Sequence, residues 1–137
     1  MSDLYQEALM ALAKDSTHAG ALPPPAASVM RDNPLCGDRV TVDLVREGDK
    51  IADIRHKVRG CVLCRAAASA LTASVVGAPK AKADAARAAM QAVLAGQSPD
   101  SEFESFAAFA PVASARSRHT CVLLPFDALD AAWSEAS

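Results

Sequence analysis

The side chains best suited to chemistry in this sequence are four thiols and one carboxylate, those of Cys36, Asp38, Cys61, Cys64 and Cys121. Cys36 and Asp38 are separated only by Gly37, which permits a tight, positive-φ turn that points both side chains into one small volume. A thiolate and a carboxylate are both ligands for a divalent metal. Because such a metal takes about four ligands, the other cysteines must supply the rest. The pattern therefore predicts a metal site assembled from distant parts of the chain.

The composition favours one folded domain and argues against several functional classes. The chain has 137 residues, so we expect a single domain over residues 1–137, and its 51% hydrophobic content is enough for a core. Aromatic residues make up 4% and the net charge is −2, which argues against nucleic-acid binding. No apolar run approaches the roughly 18 residues of a membrane span, and the N-terminus does not resemble a secretory signal. We therefore expect a cytoplasmic protein, in which four cysteines are more typical of metal or redox chemistry than of disulfide bonds.

Hydrophobic patterns predict strands in the first half of the chain and helices in the second. Alternation of apolar and polar residues predicts strands over 27–31, 39–45 and 51–59, with a hairpin turn around Gly48. Helical spacing predicts an opening helix over 3–14, which Ser2 can cap, and an alanine-rich helix over 61–76 that ends at Gly77. Further helices are predicted over 79–94, 101–108 and 125–135, with 111–120 irregular or extended. This order is typical of an α+β fold, a small antiparallel sheet of about three strands with helices on one face.

Two local signals set the predicted helix boundaries in the second half. Pro79 is predicted as the first helical residue of its helix, where a missing N–H costs nothing. Ser101 and Glu104 have the spacing of a capping box. With these boundaries Cys36, Cys61 and Cys121 all fall at the ends of elements, where loops can bring them to one rim of the sheet.

Three stretches of the sequence resemble the U-type iron–sulfur cluster assembly scaffolds, the family that includes IscU, SufU and the N-terminal part of NifU. They are residues 33–40 (Asn-Pro-Leu-Cys-Gly-Asp-Arg-Val), Gly60-Cys61 with the helix that follows, and residues 118–121 (Arg-His-Thr-Cys). The 59 residues between Cys61 and Cys121 are similar to the SufU branch, with the helix over 79–94 as the expected insertion. The Leu-Pro-Pro-Val-Lys segment that IscU-branch proteins present to a chaperone is absent, so we expect no such partner.

The resemblance implies a SufE/IscU-like fold and a ligand set of Cys36, Asp38, Cys61 and Cys121. Three thiolates and one carboxylate suit tetrahedral zinc or one end of a transient [2Fe–2S] cluster. Because oxygen is a poorer donor than sulfur for a soft cluster, Asp38 is expected to keep the cluster labile. A thiolate released from the metal could accept persulfide sulfur, and Cys121 is the predicted acceptor because Arg116 and Arg118 precede it.

The remaining candidates have a structural and a chemical interpretation each. Cys61 and Cys64 form a Cys-x-x-Cys pair at a helix start, which could be redox-active, and Cys64 could also be a spare ligand, a sulfur acceptor or a core residue. His119 lies close enough in sequence to Cys121 to approach a metal. His56 is predicted to be a core histidine and His18 a surface residue.

Three hypotheses for function follow. The first is a scaffold that assembles or relays a transient [2Fe–2S] cluster on zinc- or iron-binding ligands. The second is a zinc-dependent sulfurtransferase that accepts persulfide sulfur, and the third is a structural zinc-binding module without chemistry. A scaffold is more consistent with the pattern than an enzyme. The resemblance implies a pyridoxal-phosphate cysteine desulfurase and acceptor apo-proteins as partners, with no nucleic acid and no membrane.

Overall fold

The computed structural model describes residues 3–24 and 26–136, and the side chains of Asp3 and Leu4 are outside the description. The predicted cap Ser2 lies outside the described residues. The elements in chain order are α1 (Asp3–Lys14), β1 (Ala27–Asn33), β2 (Asp38–Glu47), β3 (Lys50–Arg59), α2 (Val62–Val75), α3 (Lys80–Leu94), two 3₁₀ segments (Ser101–Ser114 and Arg116–Arg118) and α4 (His119–Glu135). The predicted α+β class is confirmed.

The three strands form one antiparallel sheet in the order β1-β2-β3. Asn33 pairs with Asp38 across β1 and β2, and Arg39 pairs with Arg59 across β2 and β3. The end of β1, the start of β2 and the end of β3 therefore meet at the same edge of the sheet. Because α2 follows β3 after only two residues, its N-terminus lies at this edge as well.

Helices cover one face of the sheet, as predicted. Val40, Val42 and Leu44 alternate along β2 and are fully buried, with α4 packed on this strand and α2 on β3. The alanines of α2 let this helix lie close to α1, α4 and β3, and Leu71 is also fully buried. Phe103, Phe106 and Phe109 from the first 3₁₀ segment complete the same core.

The strand boundaries at the site edge extend further than the pattern predicted. β1 continues through Asn33, and β2 begins at Asp38 rather than Arg39. Asp38 is thus a strand residue and is held in register by its partner Asn33. The alternation rule missed these positions because Asn33 and Asp38 are polar although both are buried.

The elements of the C-terminal third differ most from those predicted from the sequence. The last helix begins at His119, six residues before the predicted start at Pro125, so Cys121 lies in its first turn rather than before it. Pro125 is buried inside the helix, where it removes the N–H that would bond the Cys121 carbonyl, so core packing outweighs the usual rule for proline. Residues 111–118 are largely 3₁₀ turns rather than extended chain.

Two predicted helix signals are also wrong in detail. Asp100, not Ser101, is the N-cap of the 3₁₀ segment, and no side chain caps this end. Pro79 is the N-cap of α3 rather than its first helical residue. Its backbone is extended, and a hydrogen bond from Lys80 N–H to the Asp49 carbonyl fixes this start instead. A tertiary contact therefore fixes the start of α3.

Candidate metal centre at the edge of the sheet

The loop between β1 and β2 presents Cys36 to solvent. The Asn33 carbonyl accepts hydrogen bonds from the N–H groups of Cys36 (3.3 Å) and Gly37 (2.8 Å), which closes a tight turn. Gly37 has a φ of +74°, the left-handed conformation that favours glycine. Cys36 is the exposed member of the described cysteines. The predicted turn geometry around Gly37 is therefore confirmed.

Asp38 lies at the centre of the cluster and is only 2% exposed. Its Oδ1 accepts a hydrogen bond from the Cys61 backbone N–H at 2.9 Å. Its Oδ2 faces the thiols, at 3.1 Å from Cys36 Sγ and 3.3 Å from Cys61 Sγ. One carboxylate oxygen is thus anchored to the backbone, while the other is directed at sulfur atoms.

Cys61 and Cys121 reach the cluster from the first turns of two helices. Cys61 is the N-cap residue of α2 and is partly buried. Cys121 is buried in α4, and its Sγ lies 3.0 Å from Cys36 Sγ. One ligand atom each from Cys36, Asp38 and Cys121 lie within 4.8 Å of one another, which is compatible with a shared metal. Cys61 is not part of this set of three, although its Sγ lies 3.3 Å from Asp38 Oδ2.

Asn33 links the Cys36 loop to the start of α4, a role that no sequence pattern predicted. Its Nδ2 donates to Thr120 Oγ1 at 2.9 Å and lies 3.9 Å from Cys121 Sγ, while its Oδ1 accepts from Leu35 N–H at 3.1 Å. One amide therefore fixes the Cys36 loop against the start of α4. An asparagine before a proline is a turn signal, but its long-range partner could not be deduced from local pattern.

Burial acts on both Asp38 and Cys121, but the net shift of the pKa differs between the two groups. Burial acts to raise the pKa of Asp38, but hydrogen bonds from the thiol of Cys36 and the backbone N–H of Cys61 outweigh it, and its pKa is lowered. Burial strongly raises the pKa of Cys121, and its contacts with Cys36 and Asp38 act in the same direction. The difference between the pKa of the Asp38 carboxyl and that of the Cys121 thiol is therefore wider than the ordinary one.

The expected stabilisation of a Cys121 thiolate by nearby arginines does not prevail. Arg116 and Arg118 lie in a 3₁₀ turn and are exposed. The arginines were expected to lower the pKa of Cys121, but burial raises it. An exposed guanidinium is screened by water, so it does little to offset the desolvation of a buried thiolate.

The other candidates are held in structural contacts. Cys64 is fully buried in the core, and burial strongly raises its pKa. His119 Nε2 lies 2.9 Å and 3.2 Å from the carbonyl oxygens of Val112 and Ala113, so this nitrogen is hydrogen-bonded to the first 3₁₀ segment. His56 is buried beside Thr72, as predicted for a core histidine. His18 is partly buried, and its carbonyl accepts a hydrogen bond from His56 N–H.

The surface around the cluster is partly apolar. Leu35, next to Cys36, is 87% exposed. A cavity of about 510 Å³ opens beside Cys61, and α1, α2 and the 3₁₀ segments contribute its walls, including Met10, Val62 and Arg118. Among the described residues, no helix has both the length and the hydrophobicity needed to cross a membrane.

Comparison with known proteins shows similarity along nearly the whole chain. The NifU-like N terminal domain model matches residues 4–120. An iron–sulfur cluster assembly scaffold protein IscU of Streptococcus pyogenes serotype M1 is 31% identical over 131 residues, which is 94% of this chain and 82% of that protein. A zinc-dependent sulfurtransferase SufU of Bacillus subtilis is 30% identical over 77 residues, 56% of this chain, and the match spans about half of that relative, 52% of its length.

Solved structures give the same result for the fold. A NifU-like protein (N-terminal) from Brucella abortus superposes with a TM-score of 0.84 at 33% identity, covering 93% of this chain and 90% of that one. An iron–sulfur cluster assembly scaffold protein for the SUF system from Fervidobacterium islandicum has a TM-score of 0.83 at 24% identity, covering 95% and 97%, and supports the fold alone. With its three-stranded antiparallel sheet and its matching sequence, the chain belongs to the NifU-like N-terminal domain family of iron–sulfur cluster scaffolds.

Proposed function

We propose that this protein, as one domain over residues 1–137, assembles or relays a transient [2Fe–2S] cluster held by Cys36, Asp38, Cys61 and Cys121. The observation that supports this most is the convergence of three thiols and one carboxylate at a single edge of the sheet. They come from four separate elements, so only the folded chain can assemble them. The cluster is the cargo, and an exposed rim next to Cys36 suits its delivery.

The arrangement of Asp38 supports a cluster that can be released. Because Oδ1 is bonded to the Cys61 N–H, Oδ2 is the oxygen available to iron. A single carboxylate oxygen is a harder and weaker donor for a soft iron–sulfur cluster than a fourth thiolate. Asp38 is therefore the ligand that gives way first when the cluster is handed to an acceptor apo-protein.

Sulfur is proposed to come from a pyridoxal-phosphate cysteine desulfurase. A thiolate of this protein attacks the outer sulfur of the partner's persulfide, the S–S bond of the persulfide breaks, and the partner leaves as a thiolate. A new persulfide forms here with no net oxidation. Arg116 and Arg118 before Cys121 favour Cys121 for this step in the sequence, but the exposure of Cys36 favours Cys36 as the thiol that a partner reaches first. The exposed Leu35 next to it offers an apolar contact for that partner.

Zinc-dependent sulfur transfer is the second candidate, supported by the name of the Bacillus subtilis relative. Three thiolates and one carboxylate fit tetrahedral zinc, and each of the three thiols contacts another group of this set at 3.0 to 3.3 Å. In this alternative the same four residues would hold zinc, which would keep the thiols ionised, and one of these thiols would accept the sulfur. A structural zinc module would hold the ion without releasing any ligand.

The first experiment is anaerobic purification followed by analysis of iron, zinc and acid-labile sulfide, with visible spectroscopy. The scaffold predicts about two irons and two sulfides per chain after reconstitution and a brown colour. One zinc per chain and no colour would support sulfur transfer instead. Persulfide trapping on Cys36→Ala and Cys121→Ala variants, with a cysteine desulfurase and cysteine, then identifies the acceptor thiol.

The Asp38→Ala variant tests the ligand assignment, with Cys64→Ala as the matched control. For a scaffold we expect Asp38→Ala to hold its cluster longer, because the weakest ligand no longer initiates release. For a structural zinc module the variant would only lose zinc affinity. Unchanged metal content and unchanged cluster lifetime would contradict the assignment of Asp38 as a ligand, while Cys64→Ala should change neither.

A further inference from the structure

Gly60 differs from the other five glycines of the chain, all of which lie within the described residues. Gly20, Gly37, Gly48, Gly77 and Gly96 have positive φ angles, and a Cβ at any of them would meet nothing within 4 Å. Gly60 is the opposite case, because its φ is not positive while the space around its Cα is filled. Backbone conformation therefore does not explain the glycine at position 60, and the reason must be steric.

The group that fills this space is the side chain of Asp38. A Cβ on residue 60 would lie 2.6 Å from Asp38 Cγ and 2.9 Å from Asp38 Cβ, and it would overlap Asp38 Oδ1 most severely. These distances are far below van der Waals contact, so one of the two residues would have to move. The absence of a side chain at Gly60 is therefore a condition for the observed position of the carboxylate.

Asp38 has little freedom to avoid such a contact without leaving the cluster. It is 2% exposed, its backbone is fixed opposite Asn33 in the sheet, and its Oδ1 bonds the Cys61 N–H at 2.9 Å. A substituent at residue 60 would push Oδ1 away from this N–H. Rotation of the side chain would then also move Oδ2 away from Cys36 and Cys61, which it now faces at 3.1 Å and 3.3 Å.

We infer that Gly60 is a positioning residue that acts through Asp38, by leaving the space in which one carboxylate oxygen is anchored and the other is directed at the metal. The inference rests on the proposed ligand role of Asp38. It identifies a fifth residue required by the site, one that touches neither metal nor sulfur. It also implies that position 60 determines whether oxygen takes part in metal binding at all.

The test is a double-substitution cycle of Gly60→Ala and Asp38→Gly, which removes all three overlapping atoms. Zinc affinity is measured without oxygen by competition with a chromophoric chelator, using Zn²⁺ alone as the probe. We expect Gly60→Ala to bind zinc about 10- to 100-fold more weakly, the range known for residues that orient metal ligands, and Asp38→Gly to lose at least as much because it removes the ligand itself. In the Asp38→Gly background, Gly60→Ala should change the affinity by less than about threefold, because the group on which it acts is gone.

Val62→Ala is the matched control on the other side of Cys61. Val62 is 42% exposed, so its truncation perturbs the neighbourhood of Cys61 without entering the space around Asp38. Its zinc affinity should equal that of the parent protein. An equal loss in Val62→Ala and Gly60→Ala would overturn the inference, because any change near Cys61 would then suffice.

The other outcomes separate this inference from the proposed function. If Asp38→Gly weakens zinc binding and Gly60→Ala does not, the inference about Gly60 fails and the ligand set stands. If Gly60→Ala weakens binding equally in both backgrounds, Gly60 acts on the backbone and the inference also fails. If Asp38→Gly has no effect, the ligand assignment fails and the inference falls with it.

Circular dichroism of the four proteins covers the case in which Gly60→Ala alone does not fold. Folding of the double variant but not of Gly60→Ala would support the inference, because removal of the carboxylate relieves the overlap. Failure of both to fold, with Asp38→Gly folded, would overturn it in favour of a purely backbone role for Gly60.

Discussion

Two buried aspartates on β2 show how similar residues acquire different roles. Asp43 is 6% exposed, and its two oxygens accept strong hydrogen bonds from Leu22 N–H (2.9 Å) and Ser28 hydroxyl (2.6 Å). Asp38 is 2% exposed, but apart from one backbone N–H it is faced by thiols, which are weak donors. The hydrogen bonds of Asp43 are therefore all supplied by the protein, whereas the thiol contacts of Asp38 are the ones that the proposed metal would replace.

The difference follows from the two faces of one strand. Asp38 has the same parity as Val40, Val42 and Leu44, so it lies on the helix-covered face, at the edge where α2 and α4 begin. Asp43 has the opposite parity and lies beneath the segment that leads into β1. Burial alone thus does not identify a chemical site, and the chemistry of the groups around the carboxylate does.

The largest expected effect that separates the two aspartates is on stability. Asp43→Ala should lower the free energy of unfolding by about 3 kcal/mol, since it leaves two donors without their charged acceptor. Asp38→Ala should lower it by only about 1 kcal/mol, because it loses one backbone hydrogen bond and weak thiol contacts. Urea denaturation with chelator and reductant measures both values.

Metal content should show the reverse order for the same two variants. Asp43→Ala should keep the metal stoichiometry of the parent protein, whereas Asp38→Ala should change metal affinity or cluster lifetime. A larger loss of stability in Asp38→Ala than in Asp43→Ala would contradict the comparison, because it would make Asp38 the structural carboxylate.

The second prediction extends the comparison to two thiols one helical turn apart. Cys61 contacts Asp38 at the start of α2, while Cys64 is fully buried in the core. Cys61→Ala should weaken zinc binding at least about tenfold. Cys64→Ala should leave zinc affinity unchanged and lower the free energy of unfolding by about 1 kcal/mol, as expected for a small truncation in a core. Chelator competition and urea denaturation of the two variants provide the measurements.

Equal losses of zinc affinity in the two cysteine variants would contradict this division of roles. That result would return Cys64 to the alternatives of a spare ligand or a redox partner of Cys61. The buried position of Cys64 and its raised pKa argue for a thiol that stays protonated and unreactive.

The smallest expected effect concerns pH and a buried group outside the site. Burial lowers the pKa of His56, the positive charge of His18 adds to this, and the nearby Asp15 opposes it. Since the folded-state pKa lies below the unfolded value of about 6.5, neutral His56 contributes stability above that pH, and the contribution is lost as the pH falls toward the folded-state pKa. The slope is limited to about 1.4 kcal/mol per pH unit for one proton.

The His56→Gln variant measures this contribution. Its free energy of unfolding should change less between pH 7.5 and pH 5.5 than that of the parent protein, because glutamine does not titrate. An identical pH dependence in the two proteins would show that other groups account for it. Metal binding at pH 7.5 should be unaffected, since His56 is bonded to Thr72 away from the cluster.

Much of the fold could be predicted from local pattern. Alternation along β2 and β3 placed both strands and their hairpin, and the small residues after Cys61 marked a closely packed helix. The start of α4 was missed because a proline is usually a boundary signal. Here the packing of Pro125 in the core compensates for the hydrogen bond that it removes.

The chemical groups of the candidate site are evident from the chain alone, because the types and order of Cys36, Asp38, Cys61 and Cys121 are read directly from it. How these groups meet depends on packing: Asn33 bridges to the start of α4, and Gly60 leaves room for the carboxylate. Hydrophobic period and local propensity act over only a few residues, so they carry no information about such contacts. The distance between groups 85 positions apart depends on how the sheet and helices pack.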